Sequence, residues 1–192
     1  MNSARSARRP LARTVAILLV ALAATLAGAF APRSWLARRA EPPATRVAAV
    51  FREPRPLPAF ALVAHDGTRF DNARLKGHWS LLFFGFTNCP DVCPTTLTQL
   101  AATRRQLADL PPAQSPAVLM ISVDPKRDTP QRLAEYVPYF DRSFTGATGT
   151  RAMLDVLTRS MGVAVHIGPE VDGSYAVDHT AALFLVDPDA RL

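Results

Sequence analysis

An α/β fold with a central sheet and flanking helices is the class this sequence predicts, on three observations. Two apolar runs, Leu81-Leu82-Phe83-Phe84-Gly85-Phe86 and Ala117-Val118-Leu119-Met120-Ile121-Ser122-Val123, are continuous rather than alternating, as in strands covered on both faces of a mostly parallel sheet. Segments of helical periodicity lie between and after them. The chain's two cysteines, Cys89 and Cys93, fall between the first of these strands and its helix. The order strand, helix, strand, helix, helix, strands puts a site at the strand ends and is broadly thioredoxin-like.

A chain of 192 residues suffices for one domain with a sizeable core, plus a tail. The net charge of +6 suggests an anionic partner until the charges are located. Residues 1–46 carry eight Arg and one Glu, whereas residues 47–192 carry fourteen Lys plus Arg against fifteen Asp plus Glu. The basicity therefore belongs to the tail, and the folded part has no excess to spend on phosphates, which excludes a nucleic-acid partner. The tail reads as a targeting segment. A basic stretch, 1–13, with Arg5, Arg8, Arg9 and Arg13, precedes an uncharged run, 14–31, followed by Pro32, Arg33 and Trp35. That run is at the lower edge of the roughly 17 to 25 residues that span a bilayer. Cleavage at Ala27-Gly28-Ala29 and retention as a signal anchor are both consistent with it; the expectation is one N-terminal membrane-anchor helix. Either way the cysteines face the exported side, where thiols oxidise, so the pair must be protected, used in redox chemistry or metallated. Residues 32–58, with Glu41-Pro42-Pro43 and Pro54-Arg55-Pro56-Leu57-Pro58, read as an extended tether, leaving 59–192 as the domain.

Within the domain, Ala59 to Ala64, the Asp66-Gly67 turn and Thr68 to Phe70 form a hairpin signal. The first central strand breaks at Thr87 and Asn88. With Asn88 or a neighbour as cap, Pro90 and Pro94 sit in or near a first helical turn, where a missing N–H costs little. Leu97, Leu100, Leu107 and Leu110 give that helix a core stripe up to Pro111-Pro112. After the second apolar strand, Thr129 and Pro130 are a cap and first-turn pair for a helix to about Phe140. Thr150 to Met161 is a third helix, with Met153, Leu154, Leu157 and Met161 inward and Gly162 at a left-handed position. Val163 to Ile167 is a strand, and Val177-Asp178-His179-Thr180 leads into another, Ala181 to Val186. His65, His78 and His166 read as turn, connection and strand residues, and the methionines as core.

Helical spacing of four residues would place Cys89 and Cys93 on one face at a helix N-terminus, where the dipole and free amides favour thiolate. Cα atoms about 6 Å apart permit a disulfide, and also let two sulfurs converge on one ion with room for a third ligand. Two thiolates and an imidazole suit Cu(I) and accept Cu(II); zinc remains open, though a structural zinc site wants four protein ligands. His179, at the head of an apolar strand expected to neighbour the cysteine strand, is the best third ligand, with Asp178 placed to orient it. The Asp124-Pro125-Lys126-Arg127-Asp128 loop lies at a strand's carboxyl end, where sites in α/β sheets collect.

Three ordered motifs now carry a resemblance: Gly85-Phe86-Thr87-Asn88-Cys89-Pro90-Asp91-Val92-Cys93-Pro94-Thr95-Thr96, Ser122-Val123-Asp124-Pro125-Lys126-Arg127-Asp128-Thr129-Pro130, and Val177-Asp178-His179-Thr180. From about Phe60 to Leu192 the chain resembles the SCO/SenC family of copper proteins in cytochrome c oxidase assembly. The resemblance implies a membrane-tethered thioredoxin-like domain with copper held by Cys89, Cys93 and His179, and Asp124 and Asp178 around them. It implies copper delivery to, or thiol reduction at, the dinuclear copper site of oxidase subunit II. The expected protein is a monomer at the inner membrane with its domain on the periplasmic or exported side. The family pattern continues past the Asp187-Pro188 turn with another strand and a helix, so an exposed edge and apolar surface are expected here.

The leading function is thus a copper metallochaperone rather than an enzyme. The alternative is a membrane-tethered thiol-disulfide oxidoreductase using Cys89 and Cys93. Against it stand the Cys-x-x-x-Cys spacing and the lack of a proline between Pro169 and Pro188, near the strand where a thioredoxin carries its site-adjacent proline.

Overall fold

The computed structural model describes residues 18–21, 47–111 and 114–192. The basic segment and most of the expected anchor and tether lie outside these residues; 18–21 are helical. Among the described residues no helix is long and apolar enough to cross a membrane. The account below concerns the unit Glu53–Leu192.

A six-stranded mixed sheet forms its centre. The Asp66-Gly67 signal produces the expected hairpin, β1 (Ala61–Ala64) and β2 (Arg69–Asp71), antiparallel, with Gly67 at φ 82°. A 3-10 turn, Asn72–Leu75, follows. The two apolar runs are β3 (Ser80–Gly85) and β4 (Ala117–Ser122), paired in parallel from Ser80 opposite Ala117 to Gly85 opposite Ser122. Between them runs α1 (Val92–Gln106). Then come α2 (Pro130–Phe140), β5 (Thr145–Thr148) and α3 (Arg151–Met161). A separate two-stranded ribbon, β6 (Val165–Ile167) with β7 (Val177–His179), precedes β8 (Leu183–Val186), which pairs antiparallel with β3. The sheet order is β2-β1-β5-β4-β3-β8.

The helix signals act as the sequence suggests at α2 and α3. Thr129 and Thr150 each accept an N-terminal amide on the side chain, and Gly162 closes α3 at φ 72°. The stripe on α1 is shorter than expected: Leu97 and Leu100 are buried, but the helix ends at Gln106 and Leu110 is exposed.

The strand the sequence does not announce is β5, a central strand of small residues, Thr145-Gly146-Ala147-Thr148. Its composition follows from the helix laid over it. A Cβ on Gly146 would come within 2.9 Å of Val137 Cγ2 and 3.1 Å of Leu133 Cβ, both in α2. The core comprises Leu82, Phe83, Phe84, Leu97, Met120, Ile121, Leu133, Leu154 and Leu157, among others, all removed from solvent. At about 1.5–3 kcal/mol per fully buried side chain, this layer holds the sheet rigid beneath the site. The end of the expected tether is tied to the domain: Arg55 and Leu192 exchange backbone hydrogen bonds at 2.8 Å.

Candidate metal centre

Helix α1 begins later than the spacing argument assumed, and this changes what Cys89 does. Its first residue is Val92, so Cys93 is in the first turn while Cys89 lies in the preceding loop, its amide donating to the Phe86 carbonyl at 3.3 Å. Asp91, at the cap position, makes no side-chain cap hydrogen bond. Instead the Cys93 amide donates to Cys89 Sγ at 3.4 Å. The sulfur thus takes the place of a capping oxygen at a helix end whose amides have no other partner.

The two thiols consequently differ. Burial works against ionisation at Cys89, but hydrogen bonds from the Cys93 thiol and from the Cys93, Asp91 and Val92 amides outweigh it and hold the Cys89 thiol below its ordinary value. Cys93 is entirely buried. Burial first, then its hydrogen bond to Cys89 and the charges of Cys89 and Asp128, push its thiol up to about 12. Cys93 Sγ also explains Gly85: a Cβ there would lie 3.2 Å from the sulfur and 2.7 Å from Phe83 Cε1.

His179 reaches this pair from β7, which belongs to the ribbon; the strand that neighbours the cysteine strand is β8. Its Nε2 lies 3.6 Å from Cys93 Sγ, and its Nδ1 lies 3.0 Å from the Thr180 carbonyl oxygen. A carbonyl only accepts, so Nδ1 carries the proton and Nε2 presents its lone pair to the sulfur. The edges of Phe83 and Phe86 pack at the ring, with centroids 6.2 and 5.8 Å away. Asp178 is not the orienting partner the sequence suggested. It is exposed on β7, opposite His166, because neighbouring residues of a strand point to opposite faces.

Asp124 is buried and acts on the ribbon. It is paired with Arg127 and accepts from the Tyr175 hydroxyl at 2.5 Å. The Arg127 guanidinium lies 3.8 Å from the Tyr175 ring centroid and donates to the Tyr175 carbonyl at 3.2 Å. It also lies over Phe86, the ring that touches His179. Asp124 therefore fixes the ribbon two residues before β7 starts.

The residue whose weight sequence reasoning understated is Asp128. Fully buried, it accepts from the Thr87 amide at 3.0 Å, the Thr87 hydroxyl at 2.6 Å and the Ser122 hydroxyl at 2.6 Å. It locks the Thr87-Asn88 turn that delivers Cys89 to the end of β4. Its spacing after Asp124 was the available signal. The structure brings Cys93 to Cys89 and to His179; among the described residues no group of three or more His, Cys, Asp or Glu side chains is placed to hold a metal ion.

A thioredoxin-like α/β domain carrying a dithiol and an imidazole at the end of its central strands is the class that fold and site define. The sequence model of one family, SCO1/SenC, matches residues 52–192, and the chain belongs to that family. A Stutzerimonas stutzeri protein with copper binding in its name is 38% identical, over 92% of this chain and 83% of its own. The human mitochondrial protein SCO1 homolog is 38% identical over 69% of this chain, which spans 44% of the human protein's length. Among solved structures, Arabidopsis thaliana ScoI with copper bound superposes with a TM-score of 0.65 at 36% identity, covering 71% of this chain and 84% of that one. Bradyrhizobium japonicum ScoI with copper bound gives 0.64 at 37%, covering 71% and 85%.

Proposed function

We propose that this chain binds copper through Cys89, Cys93 and His179 and delivers it, as a metallochaperone, to the dinuclear copper site of cytochrome c oxidase subunit II. The observation that carries the reading is the 3.6 Å approach of His179 Nε2 to Cys93 Sγ with Nδ1 already engaged. Donors bound to one ion at about 2.0–2.3 Å stand roughly 3.5 Å apart at near-tetrahedral angles, so this pair is spaced for a shared ion. Thiolate and imidazole together match a soft ion such as Cu(I). Cys89 completes the set by turning its sulfur from the helix amides toward the other two donors. Copper-bound structures of relatives at 36% and 37% identity support the choice of metal. Retention of residues 14–31 as an anchor would place the domain as a monomer on the exported face of the inner membrane, beside a membrane-bound client.

Copper titration of the reduced chain against a competing chelator tests this. The wild type retains close to one equivalent, and His179→Ala loses retention while its circular dichroism is unchanged; equal retention in that variant removes His179 from the set. The asymmetric thiols favour a second reading, a thiol-disulfide oxidoreductase attacking with Cys89. Disulfide turnover that survives His179→Ala would distinguish it.

A further inference from the structure

Cys89 and Cys93 stand where β3 turns into α1, but His179 stands on a ribbon that shares no strand pairing with the six-stranded sheet. The outer part of that ribbon, Pro169 to Ser174, is exposed. Its base is closed by Thr180, whose amide donates to the Ala164 carbonyl and whose hydroxyl accepts from the Ala164 amide, each at 3.0 Å. Along its length Val177 is buried, and Tyr175 supplies a polar tie to the body.

The loop after β4 holds the other end of that tie. The Tyr175 hydroxyl donates to Asp124 at 2.5 Å, and Asp124 is buried, so water does not compete for the carboxylate. Arg127, itself paired with Asp124, donates to the Tyr175 carbonyl at 3.2 Å and lays its guanidinium 3.8 Å from the ring centroid. The same guanidinium lies 5.9 Å from the centroid of Phe86, whose ring meets His179 edge-on. Lys126 and Glu170 join the same two segments, but both are exposed and such pairs contribute little. Next to Arg127, Asp128 pins the cysteine turn through Thr87. One loop therefore registers both halves of the site, the thiols through Asp128 and the imidazole arm through Tyr175.

We propose that Tyr175 is the positioning residue for His179, its hydroxyl anchored on Asp124 so that the ribbon holds the imidazole against the Cys93 sulfur. The inference rests on the copper reading above. Tyr175 acts through β7 and Phe86, and its loss loosens the imidazole arm while both sulfurs keep their places.

Tyr175→Phe in the full chain tests it, because the ring is kept on Arg127 and only the hydroxyl is lost. In the reduced, metal-free protein, amide hydrogen exchange over residues 164–180 quickens about tenfold or more, while β3 and β4 exchange as in wild type. Copper retention against the chelator falls about tenfold or more, as on loss of an outer hydrogen-bond partner. In a His179→Ala background the same substitution changes the weaker binding that remains by less than about twofold, since no imidazole is left to position. Retention within about twofold of wild type, or ribbon exchange at the wild-type rate, overturns the inference and leaves the copper site standing. An equal loss in both backgrounds, or exchange quickened in β3 and β4 as well, assigns Tyr175 to general packing and overturns it equally. Failure of the wild type itself to retain copper removes the site reading and this inference together.

Discussion

Replacing Asp128 should separate the fixing of the cysteine loop from its chemistry. In Asp128→Ala, three donors lose a carboxylate: the Thr87 amide, the Thr87 hydroxyl and the Ser122 hydroxyl. The hydroxyls have other recourse, since Thr87 Oγ1 is 3.3 Å from Asn88 Oδ1 and hydroxyls rotate. The Thr87 amide has none, and a buried unsatisfied donor costs about 1–3 kcal/mol. Two lost charge-assisted bonds and a small cavity bring the total to about 3–5 kcal/mol. Asp128→Asn should be milder, about 1–3 kcal/mol. With its oxygen turned to the Thr87 amide and Ser122, and its nitrogen to the Thr87 hydroxyl, all three bonds persist as neutral ones. Urea unfolding of the reduced, metal-free protein at neutral pH reads both. An alanine variant within about 0.5 kcal/mol of wild type, or an asparagine variant as damaged as alanine, would refute the assignment.

The remaining predictions concern the thiols. Sub-stoichiometric alkylation at pH 7 should label Cys89 before Cys93, because amides favour the Cys89 thiolate while burial holds Cys93 protonated; mass-spectrometric mapping in the reverse order contradicts this. The same shifts set an alkaline limit. A thiol depressed in the fold adds stability as pH approaches the ordinary value near 8.5, whereas one raised to about 12 subtracts roughly 1.4 kcal/mol per unit above it. Stability of the reduced protein should therefore fall between pH 9 and 10 by about 1 kcal/mol more than that of Cys93→Ser, measured by denaturant titration at each pH. Gly85→Ala should push Cys93 off its seat, given the 3.2 Å and 2.7 Å approaches to Cys93 Sγ and Phe83 Cε1. Thermal melts should show it destabilised by about 1–3 kcal/mol with weaker copper retention; a variant equal to wild type would mean that the sulfur has room to move.

Much of this arrangement is written in local signals. The apolar runs of β3 and β4, the Asp66-Gly67 turn, the Thr129-Pro130 start and the Gly162 stop each express a preference of the residues themselves. β5 was illegible because its residues are chosen by what α2 needs beneath it, and small side chains carry no strand signal. At the site, the cysteine spacing and the approach of His179 to Cys93 could be read from the chain. That Cys89 precedes the helix and caps it could not, since this depends on where Asp128 pins Thr87, 41 residues away in sequence. The orienting role went to the Thr180 carbonyl rather than Asp178 for a similar reason: a backbone oxygen leaves no mark in the residue pattern.

X-ray absorption of the copper-loaded reduced chain tests the ligand set most directly. Two sulfurs and one imidazole nitrogen around the ion, with the nitrogen contribution lost in His179→Ala and one sulfur lost in Cys89→Ser, are the predicted result. A copper environment that is unchanged in either variant would contradict the account.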